Sequence, residues 1–438
     1  MKIVSFLVIA SAAAHRPACL TPGQVVDGPI WEDTVAPEFS SNWDVQYFDT
    51  YKIVSNLASN YTYLLYQCGS EPPAGVEADG VFEIPLQNVG ITQTPMITYL
   101  EQIGARSEIA AFLTDPDFIS SPCFYDDVTS GEVAVFVEGT DSTEPSLNGK
   151  ATLSIQDTVA FDGPFGTVPF DNKIIVTEYL EQTNVGYFEW VKFFSTFFNE
   201  EETANRVAMA AKDRFDCIAE NAQQAATADA TTPPVVLWAY YSPFCQGWDI
   251  AKCSGNYYCE YADACGAQML TSTEGSTEVC GVPMMSTEDF VEFGKDADYF
   301  IFPSPDWDST YELFKDQLDT MKSVQNDQVY DYQGSGSNAW FEQRIAEYYH
   351  VLQDFCHVVG TTNPLNGRKW FRNVMTEEIG TRLDQCTDDT ASNILEDNVV
   401  CLPGGTGAFV MEGSSATTAV VASSLVLSVL LSIVVMVW

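Results

Sequence analysis

The stretch that decides the fold is GYFEWVKFFSTFFNEEETANRVAMAAKDRFDCIAENA, residues 186–222. Apolar side chains recur in it at three- and four-residue steps, the spacing of one face of an α-helix. Its aromatic members are Trp190, Phe193, Phe194, Phe197 and Phe198. An acidic run at 199–203 could form a turn, after which the helical spacing resumes. The pattern predicts a long central helix, either an ordinary core helix or a rigid connection between two halves of the chain.

The N-terminus has the composition of a secretory signal peptide. Met1 and Lys2 precede the apolar run IVSFLVIASAAA, which ends in small residues. We therefore predict a cleaved signal at 1–14 and entry into the secretory pathway. A first buried strand is the alternative, but the Ala-rich end of the run and the following Pro17 disfavour it.

A second apolar segment ends the chain. Residues 416–438 contain no charged side chain, and this length suffices for about one bilayer crossing. No basic residue follows it to fix an orientation, and such an ending is also typical of a signal that a lipid anchor replaces. We predict a linker at 401–415 and then a transmembrane or lipid-anchor segment, with the bulk of the protein at the cell surface. A buried core helix is the alternative.

The cysteine content favours an oxidising compartment. The chain has 12 cysteines, and an even number after the proposed cleavage site suits a disulfide framework whose connectivity remains open. Zinc is the competing interpretation, but no C-x-x-C pair occurs. A glycosylation sequon begins at Asn60 and is also typical of a secreted glycoprotein. The disulfide candidates are Cys68, Cys123, Cys245, Cys253, Cys259, Cys265 and Cys280.

The charge excludes one class of partner. The formal net charge is -42 and the pI is about 4.1, whereas nucleic-acid binding requires a basic surface. With 46% hydrophobic residues, the chain is too apolar for a disordered acidic protein.

Strand-like and helical segments alternate on both sides of the central stretch, which predicts an α/β fold with mainly parallel sheets. We predict two Rossmann-like lobes joined by a single long helix. The boundaries are 42–183 for the N-terminal lobe, 184–224 for the interlobe helix and 233–400 for the C-terminal lobe, which contains a Cys-rich insert.

Catalytic signatures are missing from the sequence. It contains no G-x-S-x-G elbow, no H-E-x-x-H and no Walker loop. We therefore predict a protein that is not an enzyme, with no catalytic or metal-ligating residues.

Aromatic side chains concentrate where strands of the second half are predicted to end. In open α/β sheets, ligands bind beyond the carboxyl ends of the strands, and aromatic rings there provide wide, rigid contact surfaces. Rings that merely cap the core are the alternative for each position. The predicted ligand-binding residues are Gln67, Gln93, Thr94, Tyr240, Tyr241, Trp248, Trp307 and Trp340.

The order of these segments resembles the class III substrate-binding proteins that capture ferric siderophores, haem and cobalamin for bacterial import. QNVGITQTPMITYLEQIGARSEIAAF is similar to a loop and helix of their first lobe, and DADYFIFPSP to a strand that ends at their cleft. WFEQRIAEYYHVLQDFCHVV resembles their closing helix. Within the group, YLLYQCGSEPP and NYYCEYADACGAQM are most similar to algal cobalamin acquisition proteins.

This resemblance implies a surface protein that binds cobalamin or a related corrinoid between two lobes for vitamin uptake. Cobalamin would be the ligand, and no protein cofactor would be required. A ferric-siderophore binder is the first alternative, disfavoured mildly because few arginines lie near the predicted loops. An extracellular hydrolase with an unrecognised carboxylate pair is the second. The uptake partner, a receptor or transporter, stays open.

Overall fold

The structure is a computed structural model. It describes residues 17–135, 158–163, 172–228, 232–254, 256–275, 277, 280–362, 367–381, 386, 394, 399–400 and 410–411. The predicted signal peptide at 1–14, the anchor at 416–438 and most of the linker at 401–415 lie outside these residues. Among the described residues, no helix has both the length and the apolar character needed to cross a bilayer.

Short strands make up the sheets of the described chain. They are β1 (Trp43–Tyr47), β2 (Tyr51–Asn56), β3 (Tyr61–Gln67), β4 (Gly80–Ile84), β5 (Val89–Ile91), β6 (Ile109–Phe112), β7 (Ala134–Val135), β8 (Ala160–Asp162), β9 (Lys173–Ile175), β10 (Val235–Ser242), β11 (Gly247–Ile250), β12 (Gln268–Leu270), β13 (Tyr299–Ile301), β14 (Val329–Asp331), β15 (Arg372–Asn373), β16 (Val399–Val400) and β17 (Val410–Met411).

Helices alternate with these strands. They are α1 (Pro95–Gln102), α2 (Pro122–Thr129), α3 (Asn184–Ser195), α4 (Glu201–Ala228), α5 (Tyr258–Ala264), α6 (Thr287–Gly294), α7 (Trp307–Leu318), α8 (Lys322–Gln325), α9 (Ala339–Glu342) and α10 (Tyr348–Val358).

Three larger sheets confirm the predicted α/β class. The first has the order β1-β2-β3-β4, with antiparallel pairs except between β3 and β4. The second, β7-β6-β5-β8-β9, is parallel throughout. In the third, β10, β12, β13 and β14 form parallel pairs, while β11 and β15 are antiparallel edges. The first two sheets precede α3 in the chain and the third follows α4. The lobe boundaries themselves stay predictions.

The central stretch forms two helices, so the prediction of one continuous helix is wrong. α3 ends at Ser195 and α4 begins at Glu201. Between them Asn199 has a φ of 56°, a left-handed conformation that interrupts a helix. The helices pack against each other, and α4 also packs against α10. The aromatic face is nevertheless buried as predicted.

The main core is continuous across the two halves of the chain. Phe194 of α3 stacks on Tyr99 of α1 at 4.9 Å between ring centroids, and the same cluster includes Val236 of β10 and Phe355 of α10. A second, smaller core lies under the third sheet and is centred on Trp248. The central helices are therefore packed into one core that includes residues of both halves.

The cysteines of the described residues form disulfides, as predicted. The described pairs are Cys19–Cys68, Cys123–Cys386, Cys245–Cys280, Cys253–Cys259 and Cys265–Cys356. All seven candidates from the sequence take part in them. Asn60 is exposed at the turn between β2 and β3, with a φ of 59°, and its glycosylation stays a prediction.

Candidate functional site

A pocket of about 410 Å³ opens at the carboxyl end of the third sheet. Because β10 and β13 are parallel, their carboxyl ends lie at the same edge, where α/β sheets commonly bind ligands. We call this cavity the strand-end pocket. Its lining is Trp238, Ala239, Tyr240, Asp249, Ile250, Ala251, Lys252, Ser254, Asn256, Tyr258 and Pro303.

Stacked aromatic rings form one wall of the strand-end pocket. Trp238 stacks on Tyr258 with ring centroids 4.3 Å apart and planes 18° from parallel. Behind them, Trp340 lies 6.3 Å from Trp238 and stacks on Tyr332 at 4.8 Å. Side chains packed in this way are held in fixed rotamers, so the wall is largely preformed for a ligand.

Polar groups accompany these rings. The indole Nε1 of Trp238 is buried and has no hydrogen-bond partner in the described structure. Lys252 Nζ lies 3.6 Å from Asp249 Oδ1, and both residues line the pocket. The side-chain oxygen of Asn256 accepts a hydrogen bond from Tyr258 N at 2.9 Å. Burial, followed by the nearby Asp249 carboxylate, raises the pKa of Tyr240, so its hydroxyl keeps its proton as a donor. The pocket thus combines flat apolar surface with a few hydrogen-bonding groups.

A buried arginine lies behind the pocket. Arg344 is 4% exposed, and its guanidinium carbon lies 4.1 Å from the ring centroid of Tyr257, which itself contacts Tyr258. It donates to Asn184 Oδ1 at 3.2 Å, while its Nε has no partner within the described residues. Burial lowers the pKa of this group, but neighbouring tyrosines, Tyr257 above all, outweigh burial and raise it. In the described part of the chain, Arg344 has no carboxylate ion-pair partner.

Four of the predicted aromatic residues lie outside the lining of the strand-end pocket. Trp248 is fully buried in the second core, stacked on Phe290 at 3.9 Å, and Tyr241 packs beside it at 5.5 Å. Trp307 belongs to the same core, whereas Trp340 belongs to the main core. Of the predicted aromatics, Tyr240 alone lines the strand-end pocket and is 37% exposed.

The three predicted residues of the first half lie in two different places. Gln67 is buried, with its amide nitrogen donating to Pro17 O at 2.9 Å and its oxygen accepting from Asn199 at 2.9 Å. Gln93 and Thr94 follow β5, at the carboxyl end of the second sheet, and Gln93 Nε2 is buried without a described partner. The hydrogen bonds of Gln67 thus give it a structural role. The amide nitrogen of Gln93, in contrast, could donate a hydrogen bond to a ligand. The binding roles of all eight residues stay predictions.

Two exposed phenylalanines outside the predicted set of binding residues lie where the halves meet. Asn338 donates to the Asp117 carbonyl oxygen at 2.7 Å, which joins the segments before α9 and α2. Phe118 follows Asp117 directly, and Phe341 N donates to the Asn338 carbonyl oxygen at 3.2 Å. The two phenylalanines are 54% and 57% exposed. Phe341 also lies 5.8 Å from Tyr332. The sequence gives an indication for Phe341, because it follows Trp340 after a Gly-Ser loop. Phe118 lies in a short D-P-D-F turn, which gives no indication of a binding role.

A buried carboxylate pair lies at the same junction. Glu342 accepts hydrogen bonds from Ser120 N at 2.7 Å and Ser121 N at 2.6 Å, the two residues that precede α2. Ser121 Oγ donates to Glu101 at 2.6 Å. Burial raises the pKa of Glu342 to about 8, against the lowering effect of the Ser120 N–H and with a further rise from Glu101. Both oxygens of Glu342 thus fix the backbone that leads into α2, which is a structural role, and neither carboxylate lines the strand-end pocket.

No cluster of three or more His, Cys, Asp or Glu side chains suited to a metal ion occurs among the described residues.

Comparison with known proteins gives partial similarities. No protein-family model matches the chain. An uncharacterized lipoprotein of Methanocaldococcus jannaschii is 30% identical over 157 residues, which is 35% of this chain and 34% of that protein. The chain therefore aligns with about a third of the length of this relative.

Solved structures similar to the chain include three binding proteins. A periplasmic heme-binding protein from Pseudomonas aeruginosa has a TM-score of 0.46 and 11% identity, over 64% of this chain and 96% of that one. A periplasmic binding protein from Veillonella parvula has a TM-score of 0.42 and 12% identity, over 63% and 85%. The vitamin B12-binding protein of Vibrio cholerae has a TM-score of 0.37 and 13% identity, over 63% and 97%. Similarity at this level does not assign a ligand.

Proposed function

We propose that this protein binds a large, partly planar ligand, cobalamin or a related corrinoid, at the carboxyl end of the third sheet and holds it for uptake. The observation that carries the proposal is the stacked pair Trp238 and Tyr258, which lines a pocket at the edge where α/β sheets bind ligands. The α/β fold and the sequence resemblance to substrate-binding proteins support it.

The chemistry of a corrinoid matches this pocket. Its macrocycle has broad apolar faces, and its rim carries amide groups that donate and accept hydrogen bonds. Rings such as Tyr258 and Tyr240 can cover part of a face, while Trp238 Nε1 and Lys252 can donate to amide oxygens. A corrinoid is larger than a pocket of about 410 Å³. Most of it would therefore lie outside, within reach of exposed rings such as Phe341.

A ferric siderophore is the second candidate, and one observation favours it. Arg344 is a buried cation without a carboxylate ion pair among the described residues, directly behind the pocket wall. Unpaired buried charge is costly, and an anionic ligand that came close to it would offset this cost. The sequence argument that arginine is scarce near the binding loops is weakened by this placement.

Equilibrium titration tests the proposal. The full chain is titrated with cobalamin, a ferric hydroxamate and a ferric catecholate in parallel, and binding is followed by quenching of tryptophan fluorescence. We expect saturable binding of cobalamin at micromolar concentration or below. Binding of an iron chelate but not of cobalamin would establish the second candidate, and binding of none of the three would contradict both.

We further propose that the protein acts at the cell surface, tethered through its C-terminal segment. The disulfides support an oxidising compartment. The test is surface biotinylation of intact cells that express the full chain, compared with a chain truncated after residue 415. Equal retention of both chains on the cells would contradict the tether.

A further inference from the structure

A second cavity, of about 510 Å³, lies on the central helices and shares no lining residue with the strand-end pocket. It is covered on one side by the segment 34–39, which we call the strap. Glu189 of α3 fixes the strap by accepting hydrogen bonds from Glu38 N, Phe39 N and Ser40 N at 2.8, 2.8 and 2.7 Å. Carboxylate–amide bonds of this kind are charge-assisted, so the strap cavity has a defined shape.

Much of the strap cavity is lined by apolar side chains. Val185 and Phe188 of α3 contribute to it, and so do Phe39 of the strap and Met209 of α4. Phe39 and Met209 remain 45% and 62% exposed. Covering such side chains with an apolar ligand is favourable because it removes apolar surface from water.

Positive groups line the same cavity, on a chain that has only 19 Lys and Arg against 61 Asp and Glu. Lys192 is already paired with Glu189 at 3.0 Å, and Lys212 is paired with Asp216. Arg206 is different, because it is exposed and forms no hydrogen bond or ion pair with any described residue. Its guanidinium group is therefore available to an anion.

An independent observation points to a ligand at this place. Tyr348 of α10 also lines the strap cavity and is 1% exposed. Its hydroxyl is buried and finds no hydrogen-bond partner among the described residues. Buried hydroxyls are nearly always hydrogen-bonded, because leaving one unpaired is unfavourable. A ligand oxygen would supply the missing partner.

We propose that the strap cavity binds an organic anion with one charged head and an apolar body, of the long-chain carboxylate class. The apolar lining takes the hydrocarbon chain, and Arg206 and the Tyr348 hydroxyl donate to the carboxylate. The volume lies within the range of about 300–1,000 Å³ that is usual for small-molecule sites. This site is separate from the strand-end pocket and does not depend on the function proposed for it.

The test uses the full chain and sodium dodecanoate below its micelle concentration, followed by titration calorimetry. We expect saturable binding that Arg206→Glu weakens about tenfold or more, since losing one charge-assisted contact and adding repulsion costs at least ~1.4 kcal/mol. Tyr348→Phe removes only the hydroxyl oxygen and should weaken binding about three- to tenfold. Lys295→Glu is the matched control, because it makes the same charge change at an exposed residue outside the cavity.

Several results would overturn the inference. One is equal weakening by Lys295→Glu and Arg206→Glu, which would show a general effect of net charge. Another is equally tight binding of dodecyl maltoside, whose head is uncharged, which would show that only the apolar chain is recognised. Absence of any saturable heat would also refute it. Cobalamin titration of the Arg206→Glu variant should be unchanged, which keeps this outcome separate from the strand-end pocket.

Discussion

Lys52 and Glu201 form an ion pair in which the side chains are only 0% and 4% exposed. The pair joins β2 to the first residue of α4, at the break between the two central helices. The same ammonium group donates to Thr196 O at 2.9 Å and Asn199 Oδ1 at 2.8 Å, and it lies 4.4 Å from the ring centroid of Trp31. Burial lowers the pKa of Lys52, and Glu201 opposes that effect.

Replacing Lys52 by Met should strongly destabilise the protein. It leaves the Glu201 carboxylate buried without its partner, and breaking a buried ion pair from one side costs about 3–5 kcal/mol. Denaturant-induced unfolding measures the change in the free energy of unfolding. Lys322→Met is the control, because it breaks an ion pair with Asp298 whose lysine is 51% exposed, and such pairs contribute about 0–1 kcal/mol. Similar losses in both variants would contradict the role of the buried pair.

The break at this pair shows what the sequence could and could not predict. The aromatic spacing of 186–222 predicted helical structure and a buried face, because both depend on side chains a few residues apart. The acidic run at 199–203 also indicated a possible turn, but the contacts that Lys52 makes there join residues more than a hundred positions apart. Local periodicity contains no information about such a contact.

The same limit applies to the candidate site, because the sequence does not show which way a side chain points. Tyr240, at the end of a predicted strand, and Trp248, in the loop predicted to follow it, are equally good predictions from the sequence. In the structure Trp248 stacks on Phe290 and is buried, whereas Tyr240 lines the pocket. The outward or inward direction of each ring is decided by partners on other elements. The cysteines were predictable as disulfides from composition, but their pairing required the fold.

Glu342 should make stability fall as the pH rises. Its pKa is raised from 4.5 to about 8 in the folded protein, so the folded state binds this proton more tightly than the unfolded chain does. The stabilisation is complete below about pH 4.5 and is lost as the pH rises through about 8. Glu178, with a pKa raised to about 7 mainly by burial, acts in the same direction.

The Glu342→Gln variant tests this dependence. Glutamine stays neutral, so the decrease in the free energy of unfolding between pH 5 and pH 8.5 should be smaller than in the unmodified protein. Chemical denaturation at a series of pH values gives both curves. Glu312→Gln, at an exposed position of α7, should leave the decrease unchanged. If the free energy of unfolding decreases equally with pH in the Glu342→Gln variant, Glu342 is ionised in the folded protein over this whole pH range.

Tyr240→Ala should weaken cobalamin binding. The ring lines the strand-end pocket and is 37% exposed, so its removal should cost binding contacts with little effect on folding. Truncating an aromatic contact residue typically costs about 1–2 kcal/mol, or about five- to thirtyfold in Kd. Tyr179→Ala is the matched control, because Tyr179 is 44% exposed and does not line the pocket. If fluorescence titration gives the same Kd for both variants, Tyr240 is not part of the site.

The disulfide Cys265–Cys356 should contribute more stability than Cys253–Cys259. The first closes a loop of 91 residues and joins α5 to α10 within the main core, whereas the second closes a loop of 6 residues. The chain-entropy model gives about 4.6 kcal/mol for the longer loop and about 2.2 kcal/mol for the shorter one. Two double variants, with each pair replaced by alanine, can be compared by denaturant unfolding under non-reducing conditions. An equal loss of unfolding free energy in both variants, or a larger loss for the 6-residue loop, would contradict this prediction. The disulfide between α5 and α10 would then not restrict the unfolded chain as the model requires.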